Sequence, residues 1–230
     1  MSAEVKQSGS VAVVIPAFRE ERHIGGVVRA VRAEGFEAVV VDDGSDDRTA
    51  EVAGEAGAVV IRHDRNQGKG VALQHGFEYA AAHGYEAAVT LDADGQHRPE
   101  EIRRFVEAYG RGDAPVLIGN RMADTSTMPL IRRWTNRFMS WLLSRLMGQA
   151  VPDTQCGFRL YRLDAIPPRD GASERFDAES EILLEIARRG VRIGSVPIST
   201  VYGEERSKVN PWTDTIRFFR MLRRYRRERA

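Results

Sequence analysis

From residue 11 to residue 61 the chain reads VAVVIPAFREERHIGGVVRAVRAEGFEAVVVDDGSDDRTAEVAGEAGAVVI, and this stretch decides the fold. Short, β-branched apolar runs at 11–15, 38–41 and 58–61 alternate with helix-like stretches at 20–34 and 47–55. The alternation continues with strands expected at 87–91 and 116–118 and helices at 70–82 and 99–111. Runs that are apolar throughout predict strands buried on both faces, hence helices on either side of a mostly parallel sheet. Strand and helix in turn over this length predict an α/β fold of the Rossmann-like kind. Beyond residue 120 the pattern is less regular. Helices are expected at 129–147, 177–189 and 212–228, and strands at 156–162 and 191–201. Neither an internal repeat nor a low-complexity linker interrupts the chain, so residues 1–230 are expected to form one domain with an appended C-terminal part.

The composition excludes several classes. The chain has 230 residues, 42% hydrophobic and 29% charged, with 34 Lys+Arg against 33 Asp+Glu. That is an ordinary globular balance, not disorder, collagen or a disulfide scaffold. The single cysteine, Cys156, fits a reducing compartment. The polar N-terminus and the brief apolar run after it predict neither a signal peptide nor a membrane span. The near-zero net charge hides an asymmetry: residues 128–148 hold four arginines and no acid, and residues 212–230 hold seven arginines against Asp214 and Glu228. The remainder is therefore acidic.

In an open parallel sheet, ligands bind outside the carboxyl ends of the strands. Here the first strand runs into Pro16-Ala17-Phe18-Arg19-Glu20, the second into Asp42-Asp43-Gly44-Ser45-Asp46-Asp47, and the fourth into Asp92-Ala93-Asp94-Gly95-Gln96-His97. Carboxylates this close repel one another and resist burial without compensation. Asp46 and Asp47 read best as turn and helix-capping residues. Asp92, Asp94 and Gln96 offer three oxygen ligands at alternate positions, which suits Mg²⁺ or Mn²⁺ shared with a substrate phosphate. His97, directly after them, is placed to orient a ligand or to lie on the acceptor side. No GxGxxG follows the first strand and no GxxxxGK[ST] occurs, which disfavours a dehydrogenase and a P-loop enzyme. Asn66-Gln67-Gly68-Lys69-Gly70 reads equally as a glycine turn opening a helix or as a phosphate or nucleotide contact at a helix N-terminus.

These pieces occur together, in this order, in one family. The chain resembles the GT-A glycosyltransferases of family 2, and within them the dolichol-phosphate mannose synthase and polyprenyl-phosphate glycosyltransferase group. The resemblance is carried by VVIPAFREE, VVDDGSDDRT, NQGKG, LDADGQH, IGNR, DTQCGFRLYR, FDAESEILL and ERSKVNPW, from about residue 13 to residue 212. It implies a GT-A nucleotide-diphosphosugar-binding fold, with about 11–120 the nucleotide-sugar and metal part, about 121–211 the acceptor part and 212–230 a basic amphipathic helix. It implies that Pro16, Phe18, Glu20 and Asp42 line the nucleoside pocket, with Lys69 and Asp92 also on the donor side. It implies that Asp92, Asp94 and Gln96 hold the metal and that Arg121 and Arg132 receive an acceptor phosphate. Lys208 would contact the phosphates as a loop closes, and Asp94, Arg121 and Lys208 form the expected catalytic set. The family's usual Pro-x-Tyr-Asn-Glu is Pro16-Ala17-Phe18-Arg19-Glu20 here, and its Arg-x-x-Gly-Glu-Ser-Lys is replaced around Lys208, so neither mannose nor the base is assigned.

The implied reaction moves a hexose from a GDP- or UDP-sugar to a polyprenyl or dolichyl phosphate at the cytoplasmic face of a membrane. Alternatives are a soluble or glycan acceptor, and a sugar nucleotidyltransferase releasing pyrophosphate. In residues 129–147, Leu130, Trp134, Phe138, Leu142 and Leu146 recur every four positions, flanked by Arg132, Arg133, Arg137 and Arg145. The last helix repeats the design with Trp212, Ile216, Phe219, Leu222 and Tyr225. Cationic amphipathic helices of this kind can lie in a bilayer interface, or pack on the protein's own core with a solvated basic face. A peripheral membrane enzyme is expected, with room for a separate membrane-anchoring partner. No nucleic-acid partner is expected, because the acidic body opposes it and no recognised module is present.

Overall fold

The computed structural model describes residues 10–123, 128, 130–167 and 179–199. Seven strands form one sheet: β1 (Val11–Ala17), β2 (Glu37–Asp42), β3 (Val59–Arg62), β4 (Ala87–Thr90), β5 (Val116–Asn120), β6 (Arg159–Arg162) and β7 (Ile193–Pro197), in the order β3-β2-β1-β4-β6-β5-β7. The helices are α1 (Ile24–Ala33), α2 (Thr49–Glu55), α3 (Lys69–Ala82), α4 (Ile102–Gly110), α5 (Leu130–Met147) and α6 (Glu179–Arg188). Every expected element within the described residues is present, most of them trimmed at their ends. The expected stretch at 99–111 divides into a 3-10 turn at Pro99–Glu101 followed by α4. The expected helix at 212–228 lies outside the described residues.

The chain builds β1, β2 and β3 outward in one direction, then returns to place β4 on the other side of β1. All these pairings are parallel, so the strand order reverses between β1 and β4. At such a reversal the loops after the two strands turn opposite ways and leave a crevice at their carboxyl ends. Beyond β4 the sheet is mixed. Strand β6 runs antiparallel to both β4 and β5, and β7 closes the edge parallel to β5.

The strands of the first half are apolar on both sides because both sides are covered. By the alternation of side chains along a strand, Val39 meets Ala12 and Ala80 of α3, whereas Ala38 and Val40 join Val28 of α1 and Ala53 of α2 in the main core. Helix α3 crosses close above β1: a Cβ on Gly76 would come nearer than 3.0 Å to Val14 Cγ1. That glycine sets the height of α3 over the sheet, and with it the position of the helix's first residue, Lys69. Gly76→Ala is expected to lower stability by about 1–3 kcal/mol through overpacking, read as a fall in Tm in thermal denaturation.

Candidate functional site

A cleft of about 380 Å³ opens at the crevice between β1 and β4. Pro16, Phe18 and Glu20 wall it after β1, Asp43 after β2, Asn66, Gly68 and Lys69 at the start of α3, and Asp92 and Asp94 after β4. The loop after β1 is held in an unusual shape. Arg19 adopts the left-handed region, φ 56°, which costs a side-chain-bearing residue energy. Its N–H donates to Ser45 Oγ at 2.9 Å, and its guanidinium grips Asp46 at 2.6 and 2.8 Å. The next N–H, of Glu20, donates to Thr49 Oγ1 at 2.8 Å. These bonds tie the first strand-end loop to the second and fix Phe18 and Glu20, on either side of Arg19, as walls.

Of the two aspartates at the end of β2, Asp43 lines the cleft and Asp42, placed there by the resemblance, does not. Asp42 is fully buried, takes the Ser45 N–H on Oδ1 at 3.1 Å, and has Arg62 Nε 3.3 Å from Oδ2. Successive side chains at a strand end point to opposite sides. One aspartate therefore faces the cleft, and its neighbour turns away.

The far wall carries the charge. Asp92 lies 2.5 Å from Lys69 Nζ on one oxygen and 3.2 Å from His97 Nε2 on the other. Gly157 makes room for it, since a Cβ there would sit 2.6 Å from Asp92 Oδ2. Burial works against the charge on Asp92, but Lys69 and His97 outweigh it and hold the carboxyl well below the usual range. Asp94 shifts the other way: burial, then the charge of Asp92 next to it, raises its pKa against the help of the Gln96 N–H at 3.0 Å. Lys69 is in turn pushed up, because Asp92 and Glu179 together overcome the cost of removing it from water.

Glu179 was not singled out by sequence reasoning, although it stands inside a quoted motif. It is the first residue of α6 and pairs with Lys69 on one oxygen and with Arg159 Nη2, at 3.0 Å, on the other. Arg159 is itself buried, donating to the Cys156 and Thr154 carbonyls at 2.6 and 2.9 Å and to Tyr161 Oη at 3.0 Å. Asp92, Lys69, Glu179 and Arg159 thus form a chain of alternating sign across the cleft wall. Nothing local in the sequence connects these four positions.

Among the described residues no three His, Cys, Asp or Glu side chains gather as a cage for a metal. The pair Asp92 and Asp94 nevertheless fits Mg²⁺ or Mn²⁺, which take one or two protein carboxylates and leave other positions to water and substrate phosphate. The raised pKa of Asp94 marks a carboxylate whose repulsion from Asp92 a cation would relieve. Gln96 holds Asp94 through its backbone N–H and does not line the cleft.

Arg121, expected to meet an acceptor phosphate, is buried at the end of β5 in a two-pronged pair with Asp153, Nε to Oδ2 at 2.7 Å and Nη2 to Oδ1 at 3.0 Å. It is not among the residues lining the cleft. The side chain of Arg132 and the whole of Lys208 lie outside the described residues. The apolar stripe of α5 divides in two. Leu142 and Leu146 pack against the core, while Ile131 and Trp134 are 81% and 71% exposed and Phe138 and Trp141 are also open. Arg145 lies over the Trp141 ring at 5.4 Å.

Comparison with known proteins adds to this geometry. Residues 12–167 match the family described as Glycosyl transferase family 2. The chain is 34% identical over 205 residues to the dolichyl-phosphate hexose transferase of Haloferax volcanii, covering 88% of this chain and 87% of that protein. It is 29% identical over 217 residues to the UDP-N-acetylglucosamine–dolichyl-phosphate N-acetylglucosaminyltransferase of Methanococcus voltae, covering 84% and 86%. Its fold is similar, with a TM-score of 0.68 at 18% identity, to glucosyl-3-phosphoglycerate synthase from Mycobacterium tuberculosis, over 96% of this chain and 81% of that one. That crystal structure holds Mn²⁺, uridine diphosphate and glucosyl-3-phosphoglycerate.

Two outcomes follow from the buried groups. Asp153→Ala leaves the Arg121 guanidinium without its carboxylate and should cost about 3–5 kcal/mol, measured by urea denaturation. Burial pushes the Cys156 thiol up to about 12, so at pH 8 it stays protonated. A colorimetric thiol reagent should leave the native protein unlabelled and titrate one thiol per chain once it is denatured.

Proposed function

The chain belongs to glycosyl transferase family 2 and is a glycosyltransferase, and on that premise we propose that it transfers a hexose from a GDP- or UDP-sugar to a polyprenyl or dolichyl phosphate, with Mg²⁺ or Mn²⁺. The observation that carries this reading is the Asp92 and Asp94 pair at the mouth of the cleft, with the Lys69 ammonium beside it. A sugar leaves a nucleoside diphosphate only if the negative charge developing on the leaving group is neutralised. A divalent metal held by Asp92 and Asp94 would act there as Lewis acid and template. Lys69 adds a fixed positive charge next to the same place. Pro16 and Phe18 offer the base an apolar wall, and Glu20 and Asp43 offer the nucleoside polar edges.

A phosphate monoester acceptor is already largely anionic near neutral pH and needs little help from a general base. It needs cations to hold it in line with the anomeric carbon, and guanidinium matches phosphate bidentately. Arg121, on leaving its pair with Asp153, and Arg132 are assigned that task, with Lys208 on the donor phosphates. The names of the Haloferax volcanii and Methanococcus voltae relatives support a dolichyl-phosphate acceptor.

Such an acceptor brings the enzyme to a membrane surface. No helix among the described residues is long and apolar enough to cross a bilayer. The open face of α5, with Ile131, Trp134, Phe138 and Trp141 beside the exposed Arg137 and Arg145, suits the interface between headgroups and acyl chains. We assign that face to peripheral contact with the cytoplasmic leaflet.

Release of nucleoside diphosphate from a panel of GDP- and UDP-sugars, with Mn²⁺ or EDTA and with or without a polyprenyl phosphate, tests the reaction. Release is expected only when metal and lipid phosphate are both present, and the productive donor names the sugar. Asp94→Ala should abolish transfer, and a near-wild-type rate would remove the metal assignment. Replacing Trp134, Phe138 and Trp141 together by Ser should abolish co-sedimentation with anionic vesicles and leave Tm nearly unchanged, since all three are open to solvent.

A further inference from the structure

Asp43 is joined to more than the cleft. Its Oδ1 accepts the Gln67 N–H at 2.8 Å and lies 2.7 Å from His63 Nδ1, while Oδ2 accepts the Gly68 N–H at 2.8 Å. His63 Nε2 lies 2.8 Å from His75 Nδ1, with the two rings edge-on at 4.8 Å. Asp43 follows β2, His63 follows β3, and His75 sits on α3, the helix that Gln67 and Gly68 lead into. The contacts therefore close a ring through three elements. The side chains of Asp43 and His63 are almost wholly buried, at 5% and 4% exposure.

The direction of the hydrogen bonds to Asp43 is determined. Backbone N–H groups can only donate, so both oxygens of Asp43 already act as acceptors. His63 Nδ1 must then carry the proton it shares with Asp43. In a neutral ring this leaves Nε2 as an acceptor, and His75 Nδ1 must donate to it. In that tautomer donation runs one way, from His75 to His63 to Asp43.

The far end of this chain is the loop that forms one wall of the cleft. Asn66, Gly68 and Lys69 line it, and their placement depends on where the Asp43 carboxylate holds the backbone of Gln67 and Gly68. The same loop presses on Gly44, where a Cβ would come nearer than 3.0 Å to the backbone of Arg65 and Asn66. Gly44 has φ 72° and packs backbone against backbone. With that side closed, the carboxylate is the adjustable support, and the side chain bonded to it is His63, backed by His75.

We propose that His63 and His75 are positioning residues of the donor site, acting through Asp43 on the 66–69 loop that carries Lys69. The proposal rests on the reading of the cleft as a nucleotide-sugar site. At metal sites, hydrogen bonds that orient a ligating group are worth about 10–100-fold in metal affinity or activity, and an effect on that scale is expected of this brace on the loop.

The test uses the full chain and UDP and GDP as probes, each with Mn²⁺, so that no acceptor is needed. Titration calorimetry should give His75→Phe, which keeps a ring and loses the donor, an affinity at least about tenfold weaker than wild type. His75→Asn, whose Nδ2–H can stand where Nδ1–H stood, should restore it to within about threefold. Long-range ¹H–¹⁵N NMR of histidine-labelled protein should show His63 as the Nδ1–H tautomer in wild type and His75→Asn, with its signals displaced in His75→Phe. Nucleotide binding unchanged in His75→Phe, or His63 in the Nε2–H form, would overturn the proposal and leave the donor site standing. If wild type shows the expected tautomer and binds neither nucleotide, the donor reading fails and takes this inference with it.

Discussion

The contact between Lys69 and Asp92 is the one on which the rest of the cleft depends. A crevice at the carboxyl ends of parallel strands collects the residues that end those strands, and in this chain they are carboxylates. Asp92, Asp94, Asp43 and Glu20 share one cleft. Charges of one sign so close together are tolerated only with compensation. Lys69 supplies it on Asp92 and, through Glu179, links it to the second half of the chain. The lysine can do so because it begins α3. That helix lies low on the sheet where Gly76 meets Val14, and its entry loop is clamped by Asp43.

The second half completes the site by inserting one strand against the direction of the others. Strand β6 pairs antiparallel with β4 and β5. The chain approaching β6 therefore passes beside the residues leaving β4, which is why Gly157 lies against Asp92 and Thr90 Oγ1 donates to the Gly157 carbonyl at 2.7 Å. The same strand starts at Arg159, which anchors Glu179 from behind. A purely parallel sheet would have brought a different end of the segment to the cleft.

Most of the fold was legible because it is written in local periodicity. The apolar runs before Pro16, Asp42 and Asp92 and the helical stretches between them each report a neighbourhood of a few residues. The strand-end crevice and the carboxylates that end the strands followed from strand order, the family resemblance named the residues around them, and Pro16, Phe18, Glu20, Lys69, Asp92 and Asp94 line one cleft. Composition was a poorer guide to α5. Its apolar stripe is continuous in sequence, yet Leu142 and Leu146 pack inward while Trp134 and Phe138 remain open, because the core cluster and α6 cover only part of the helix.

The sequence by itself determined the α/β class, the strand-end carboxylates and the family, since these rest on short motifs and on the order in which they occur. Only the tertiary structure decided that Asp43 and not Asp42 faces the cleft, that Arg121 is tied to Asp153, and that Glu179 and Arg159 stand behind Lys69. The first depends on the pleat at the end of β2, where adjacent side chains point apart. The others join residues from separate strands and helices, whose meeting is set by strand order and direction. Periodicity along the chain carries no record of which distant segments will lie side by side.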